Sequence, residues 1–182
     1  MPKTLPIIRL GNPLLRQIAR NLTSTEILSD EIQEFIADIR YTLEKENYGV
    51  GMAATQMGRD LALAIIGVKP TPTRPNLKPF NAVIINPKIV EAFGRKRAVW
   101  EGCMSCGHKK DVLYAKVPRY NKIRLKYLDE KAVEHDEILE GFPAQVAQHE
   151  VDHLNGIMFL DLVRDKKSFM LADEYRKRIV QK

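Results

Sequence analysis

The residues of this chain best equipped for chemistry sit close together in QHEVDH, positions 148–153. An α-helix advances about 100° per residue, so positions i and i+4 differ by only about 40° around its axis. On a helix, His149 and His153 turn their imidazoles toward one point, where a transition metal can sit. Glu150 falls about a quarter turn away, near such an ion but off the ligand direction. A carboxylate that takes a proton from metal-polarised water must stand there. The plainer alternative is a helix whose two histidines are satisfied in its core. Against that alternative stand the spacing, the intervening Glu, and a total of only 4 histidines in the chain.

This pattern leaves the third ligand open. No histidine follows His153, and Asp161, Asp165, Asp173 and Glu174 carry no distinguishing spacing. Upstream, WEGCMSCG supplies Cys103, whose thiolate suits zinc or ferrous iron. Cys103, His149 and His153 together leave one tetrahedral position for water, the arrangement of a catalytic site. Two rivals use the same residues. Cys103 and Cys106 with the two histidines make a closed four-ligand zinc site. The gap of 42 residues from Cys106 to His149 is far longer than the roughly 12 of a zinc finger, and a closed site leaves Glu150 idle. A redox CxxC calls for a βαβ context that the pattern does not offer.

Other elements must hold these groups in place. The helical pattern around the two histidines spans 142–154, and Asn155-Gly156 is a stop signal. Ile32, Phe35, Ile36, Ile39 and Leu43 also recur at helical spacing. Ser29 is the N-cap candidate there, Asp30 and Glu31 favour the first turn, and the helix is expected to end near Asn47. Apolar runs at 61–68 and 82–90, the second interrupted by Asn86-Pro87, read as strands with a proline-rich loop between them. In 122–128, Ile123, Leu125 and Tyr127 alternate with Lys122, Arg124 and Lys126, a half-buried strand. A turn at 129–131 and a return strand through Ile138 follow. A last helix is expected over about 166–180. The order indicates an α+β fold, mixed or antiparallel sheets around a central metal-binding helix, in one domain spanning 1–182.

Composition is consistent with this. The 182 residues are 45% hydrophobic and 29% charged, the balance of a globular domain. No apolar run nears the roughly 20 residues of a membrane span. The N-terminus lacks the apolar core of a secretory signal and the composition of a transit peptide. The expected location is a cytoplasm, or an organelle if a transit peptide has been removed. Two cysteines are too few for a disulfide framework. The net charge of +6 admits a polyanionic partner or simply a basic, solvated surface.

Three segments, in order, resemble the signature motifs of the peptide deformylases: Gly49-Val50-Gly51-Met52-Ala53-Ala54-Thr55-Gln56, Glu101-Gly102-Cys103-Met104-Ser105, and Gln148-His149-Glu150-Val151-Asp152-His153. The likeness runs over about residues 5–180. It implies a formyl-L-methionyl peptide amidohydrolase, which removes the formyl group from N-terminal formylmethionine of newly made polypeptides. The implied cofactor is one divalent ion, Fe2+ in the cell, with Zn2+, Ni2+ or Co2+ able to substitute. The resemblance gives Cys103, His149 and His153 the ion, whose water attacks the formyl carbon, and Glu150 the general acid–base role. It makes Gln56 and the Met104 N–H the oxyanion donors. Gly51 would pair with the substrate as an added strand, and Val50, Val99, Phe142 and Val146 would line the methionine pocket. Implied partners are formylmethionyl nascent peptides and, through basic C-terminal residues Arg176, Lys177 and Arg178, the ribosome. Neither DNA nor a membrane is expected as a partner.

The chain departs from the family where an apolar residue and Pro usually follow the cysteine motif. Here Cys106-Gly107 stand there, then His108, and Gln145 occupies a usually apolar pocket position. A glycine in place of Pro loosens a backbone that should line the cleft. These changes keep two alternatives open: a related metal-dependent amidase or peptidase of different acyl preference, and a non-catalytic relative that binds metal or peptide.

Overall fold

The computed structural model describes residues 1–46, 49–72 and 74–181. In chain order, α1 (Ser24–Ile27) and α2 (Asp30–Glu46) precede β1 (Gly51–Ala53), β2 (Leu63–Val68), β3 (Phe80–Phe93) and β4 (Arg97–Gly102). Next come β5 (Leu113–Arg119), β6 (Lys122–Leu128), β7 (Glu134–Glu140) and α3 (Phe142–Leu154). The short strand β8 (Met170–Leu171) leads into α4 (Ala172–Tyr175), which continues as a π-helical turn over Arg176–Val180. Five strands form one sheet in the order β1-β2-β3-β6-β7, and three form another in the order β4-β5-β8. Every pairing is antiparallel, which makes the fold α+β, as expected.

The larger sheet is sandwiched between the two long helices, and strand alternation explains how. In β2, Leu63 and Ile65 join the cluster that holds Ile32, Phe35, Ile36, Ile39 and Leu43 of α2. Ala64, Ile66 and Val68 join the other cluster, with Ala144, Val146, Ala147 and Val151 of α3. A strand buried on both faces needs apolar residues at every position, hence the unbroken run in the sequence. At β6 only one face is covered. Ile123, Leu125 and Tyr127 are buried on the α3 side, while Arg124 and Lys126 are exposed. The α2 N-terminus is capped as expected, with Ser29 Oγ accepting from the Ile32 N–H at 3.4 Å. Its expected end near Asn47 lies outside the described residues. At the α3 terminus, the Leu154 carbonyl accepts from the Ala19 N–H at 2.8 Å. Gly156 has φ +70°, and a Cβ there would meet the Arg16 carbonyl oxygen at 2.6 Å, so only glycine suits this stop.

Two sequence expectations need correction, and two strands are added. Asn86-Pro87 does not end a strand; β3 runs through it with a bulge, its pairing to β6 slipping between Ile85 and Lys88. Asn86 takes φ 51° there. The segment 166–180 is not one helix. Asp165 caps a 3-10 turn at Lys166–Ser168, accepting from the Lys167 N–H at 3.0 Å. The Ser168 hydroxyl then accepts from the Lys116 N–H at 3.0 Å, so residues 170–171 are drawn onto β5 as a strand before α4 begins. Finally, β4 and β5 were unassigned in sequence, because RAVWEG and LYAKVPR mix basic, small and apolar residues without clean alternation.

The β3 bulge supplies a stability test. Asn86 both accepts from the Leu22 N–H (2.9 Å) and donates to the Leu22 carbonyl (2.8 Å), tying the N-terminal segment to the sheet from a left-handed backbone. Asn86→Ala loses both bonds and strains the backbone. It is expected to lower the free energy of unfolding by about 2 kcal/mol in urea titration; a variant as stable as the parent would show that the bulge does not need this clamp.

Candidate active site

Two elements deliver the metal-ligand candidates. α3 is fixed on the sheet by Ala144, Ala147, Val151 and Leu154, and it turns His149, Glu150 and His153 toward the end of β4. Gln148 ties the same helix sideways, accepting from the Tyr120 N–H (3.0 Å) and donating to its carbonyl (2.8 Å). Cys103 follows β4 directly. The ligand atoms of Cys103, His149 and His153 all lie within 4.8 Å of one another, and Cys103 Sγ is 3.2 Å from His153 Nε2. One thiolate and two imidazoles at this spacing fit a single transition-metal ion. Among the described residues, the buried side-chain polar atoms without a hydrogen-bond partner are Glu150 Oε2 and His153 Nδ1, both at this site.

Cys106 is not in the donor cluster. Its thiol is pushed up, first by its hydrogen bond to Cys103 and then by burial. It therefore stays protonated and donates to the neighbouring sulfur. The Cys103 thiol is held well below its ordinary range by that bond, against burial, with the charge of His153 adding to it. The donor atoms gathered here are those of the three-ligand set and not of the closed four-ligand arrangement.

Behind the ligands lies a buried charge network. Glu101 Oε2 accepts from His149 Nδ1 at 2.9 Å, which leaves His149 Nε2 for an ion. Arg119 grips both oxygens of the same carboxylate, Nε to Oε1 at 2.8 Å and Nη2 to Oε2 at 3.0 Å, and its Nη1 reaches Asp152. Burial pushes the Glu101 carboxyl up, but His149 and Arg119 outweigh it and hold it at about 2. Glu150 is the opposite case. Burial raises its carboxyl to about 7, despite the nearby histidines. A Cβ at Gly51 would lie 2.2 Å from Glu150 Oε1, so glycine is what lets this carboxylate stand against β1.

The cleft in front of these groups encloses about 300 Å³. Of the sequence candidates, Val50, Gly51, Gln56, Met104, Phe142 and Val146 line it with Cys103, His149 and Glu150, while His153 is buried behind them. Val99 does not; it packs beside the cluster of Cys106, Ala115 and Val117, and its neighbour Trp100 faces the cleft instead. Gln145 does line it, but its Nε2 donates to the Trp100 carbonyl at 2.8 Å. A polar residue is tolerated there because its amide is engaged by backbone. The Gln56 amide is fixed at one end, where Oε1 accepts from the Ala53 N–H at 2.9 Å. Its Nε2 therefore faces Cys103 Sγ (3.5 Å) and Ser105 Oγ (3.2 Å). The Met104 N–H opens a 3-10 turn, where no intrahelical acceptor exists.

The turn at 104–107 is not loosened by its glycine. Gly107 has φ +135°, and a Cβ would come 2.1 Å from the Asp111 carbonyl oxygen. Arg9 donates to the carbonyls of Met104 and Gly107, and the Leu10 N–H donates to the Ser105 carbonyl at 2.9 Å. Glu101 and Asp152 stand inside the sequence motifs without a task there, and Arg119 lies outside those motifs. A buried carboxylate beside a candidate ligand, with an Arg downstream, was the available signal. For Trp100, Tyr114 and Tyr175, which also line the cleft, no local pattern marked them out.

Glu101 provides the test of this network. Glu101→Gln keeps the shape but removes the charge that orients His149. Titration with Zn2+ or Co2+ is expected to show affinity weakened by about 10- to 100-fold; unchanged affinity would show that Glu101 serves only folding.

Comparison with known proteins agrees with this geometry. Residues 4–169 match the family model described as polypeptide deformylase. The chain is 37% identical to the peptide deformylase of Leptospira biflexa over 167 residues, 90% of this chain and 89% of that protein. It is 35% identical to peptide deformylase 2 of Nostoc sp. over 181 residues, 99% and 97% of the two chains. The Met-Ala-Ser-bound crystal structure of a class I type b peptide deformylase from Acinetobacter baumannii superposes with a TM-score of 0.81 at 30% identity, covering 90% of this chain and all (100%) of that one. An actinonin complex of the peptide deformylase from Synechococcus elongatus gives 0.76 at 30% identity, covering 96% and 85%. With the family match spanning most of the chain, and a cysteine and two histidines gathered beside a buried glutamate, this chain belongs to the peptide deformylase family.

Proposed function

We propose that this chain removes the formyl group from N-formylmethionyl peptides with Glu150 as its proton-transferring group, at a divalent ion held by Cys103, His149 and His153. The observation that carries this reading is the buried, unpartnered Glu150 oxygen beside the three gathered ligand atoms. When bound, the ion supplies Lewis acidity that makes water a nucleophile near neutral pH. The Cys–His–His donor set suits Fe2+, which we take as the ion in the cell, and also Zn2+, Ni2+ and Co2+.

The rest of the reaction falls to the chain's own groups. Glu150, with its carboxyl near 7, accepts a proton from the attacking water and returns it to the departing amine. The C–N bond of the formamide breaks, and formate and a free α-amine leave. Gln56 Nε2, aimed by its bond to Ala53, and the Met104 N–H stabilise the oxygen of the former carbonyl as charge develops. β1 and β4 are both edge strands, so a peptide can lie extended between them, its backbone meeting Gly51. Val50, Phe142 and Val146 then face the methionine side chain. That the Acinetobacter baumannii relative binds Met-Ala-Ser supports a methionyl peptide as the kind of ligand this chain takes.

The proposed setting is a bacterial cytoplasm, where one catalytic domain meets nascent chains. Among the described residues, no helix is long and apolar enough to cross a membrane. Arg176, Lys177 and Arg178 are the proposed ribosome contact. Lys177 and Arg178 already pair with Glu174, at 3.2 and 2.7 Å, but both stay exposed and in reach of phosphates.

Two experiments test these readings. The anaerobically purified, metal-loaded protein is expected to cleave formyl-Met-Ala-Ser and leave acetyl-Met-Ala-Ser intact. Glu150→Gln should keep its metal stoichiometry and lose about 100- to 10,000-fold in kcat. Equal cleavage of both acyl groups, or an active Glu150→Gln, would defeat the assignment. Replacing Arg176, Lys177 and Arg178 together by Ala is expected to weaken cosedimentation with ribosomes in low salt; undiminished cosedimentation removes them from that role.

A further inference from the structure

The cleft extends past the methionine pocket, and its far wall comes from the end of the chain. Tyr175, the last residue of α4, and Val180 line it together with Trp100 and Tyr114. The pairing of β8 with β5, Tyr114 opposite Met170, carries α4 back to this place. There the Tyr175 ring stacks on Tyr114, with centroids 4.2 Å apart and planes 7° from parallel. Trp100 meets Tyr175 edge-on at 5.5 Å. The Tyr114 ring also lies against Gly102, where a Cβ would come 2.6 Å from it. The aromatic group is thereby locked to the residue preceding Cys103. All three rings remain only partly buried.

Nothing in the deformylation step uses this wall. A fold that needed Tyr175 only for packing would be expected to bury it, yet its ring sits half-exposed at the cleft. An extended peptide advances about 3.3 Å per residue and turns alternate side chains to opposite sides. A chain laid between the edges of β1 and β4, with its first side chain in the methionine pocket, continues along the cleft that these rings bound. Aromatic faces there offer stacking and apolar contact.

We propose that Tyr175, supported by Tyr114 and Trp100, is a specificity-determining residue that contacts the substrate residues following formylmethionine, favouring aromatic or long apolar side chains. The C-terminal segment is then part of the substrate site. This rests on the deformylase reading above. Kinetics of the metal-loaded full chain on formylmethionine amide and on formyl-Met-Phe-Ala test it. Tyr175→Ala is expected to raise KM for the tripeptide by about 3- to 10-fold, with kcat/KM for the amide unchanged. Tyr175→Leu, which keeps apolar volume against Tyr114 but cannot stack, should show the same split. Tyr175→Phe should restore the wild-type ratio. A parallel loss on both substrates, or no change on either, with normal wild-type turnover, overturns the role of Tyr175 alone. Failure of the wild type to turn over either substrate overturns the deformylase reading and this inference with it.

Discussion

The site depends on one buried carboxylate. Glu101 stands at the end of β4, takes both arms of Arg119 from β5, and receives the Nδ1 proton of His149 from α3. Three elements far apart in sequence are thereby fixed to one pair of oxygens. A buried ion pair adds little net stability, because desolvation offsets most of its attraction. Its value here is geometric. With Glu101 ionised, His149 holds its Nδ1 proton and turns Nε2 toward Cys103 and His153. Arg119 also reaches Asp152, on the same helix, so α3 is gripped at two points along the ligand face.

The surrounding structure provides the rigidity this arrangement needs. α3 lies on one face of the five-stranded sheet and α2 on the other, and the alternating apolar residues of β2 serve both. The three-stranded sheet brings Cys103, just after β4, to the two histidines of the helix. The cleft is the space between the edges of the two sheets. Both edge strands carry a glycine where a side chain would collide: Gly51 with Glu150, and Gly102 with Tyr114. Those two positions allow backbone to approach the Glu150 carboxylate and the Tyr114 ring closely.

Two carboxylates in the same interior are tuned in opposite directions. Glu101 is surrounded by donors and stays charged; Glu150 has burial without a matching donor, and its proton affinity rises. The first arrangement orients a ligand, and the second suits a group that exchanges protons near neutrality. The departure at Gly107 follows a similar logic. A left-handed backbone and a crowded carbonyl exclude any side chain there, and Arg9 holds the turn that the missing proline would otherwise stiffen.

The sequence by itself determined what depends on neighbours a few residues apart. His149 and His153 share a helix face by periodicity alone, with Glu150 about a quarter turn beside them, and the stop at Asn155-Gly156 was legible from its local residue types. So were the α2 stripe with its Ser29 cap and the alternation of 122–128. Thiolate chemistry pointed to Cys103 and motif resemblance to Gln56, although no local rule places them near His149. Tertiary structure decided the rest. It settled which of two cysteines faces the histidines, because strand pairing and the 3-10 turn set the direction of each sulfur. It moved Val99 out of the cleft and Trp100 into it. It broke the expected 166–180 helix, because the Ser168 hydroxyl bonds to the β5 backbone and draws the segment into a sheet. The network of Glu101, Arg119 and Asp152 and the stack of Tyr114 on Tyr175 join residues that no local period relates; packing and register alone bring them together.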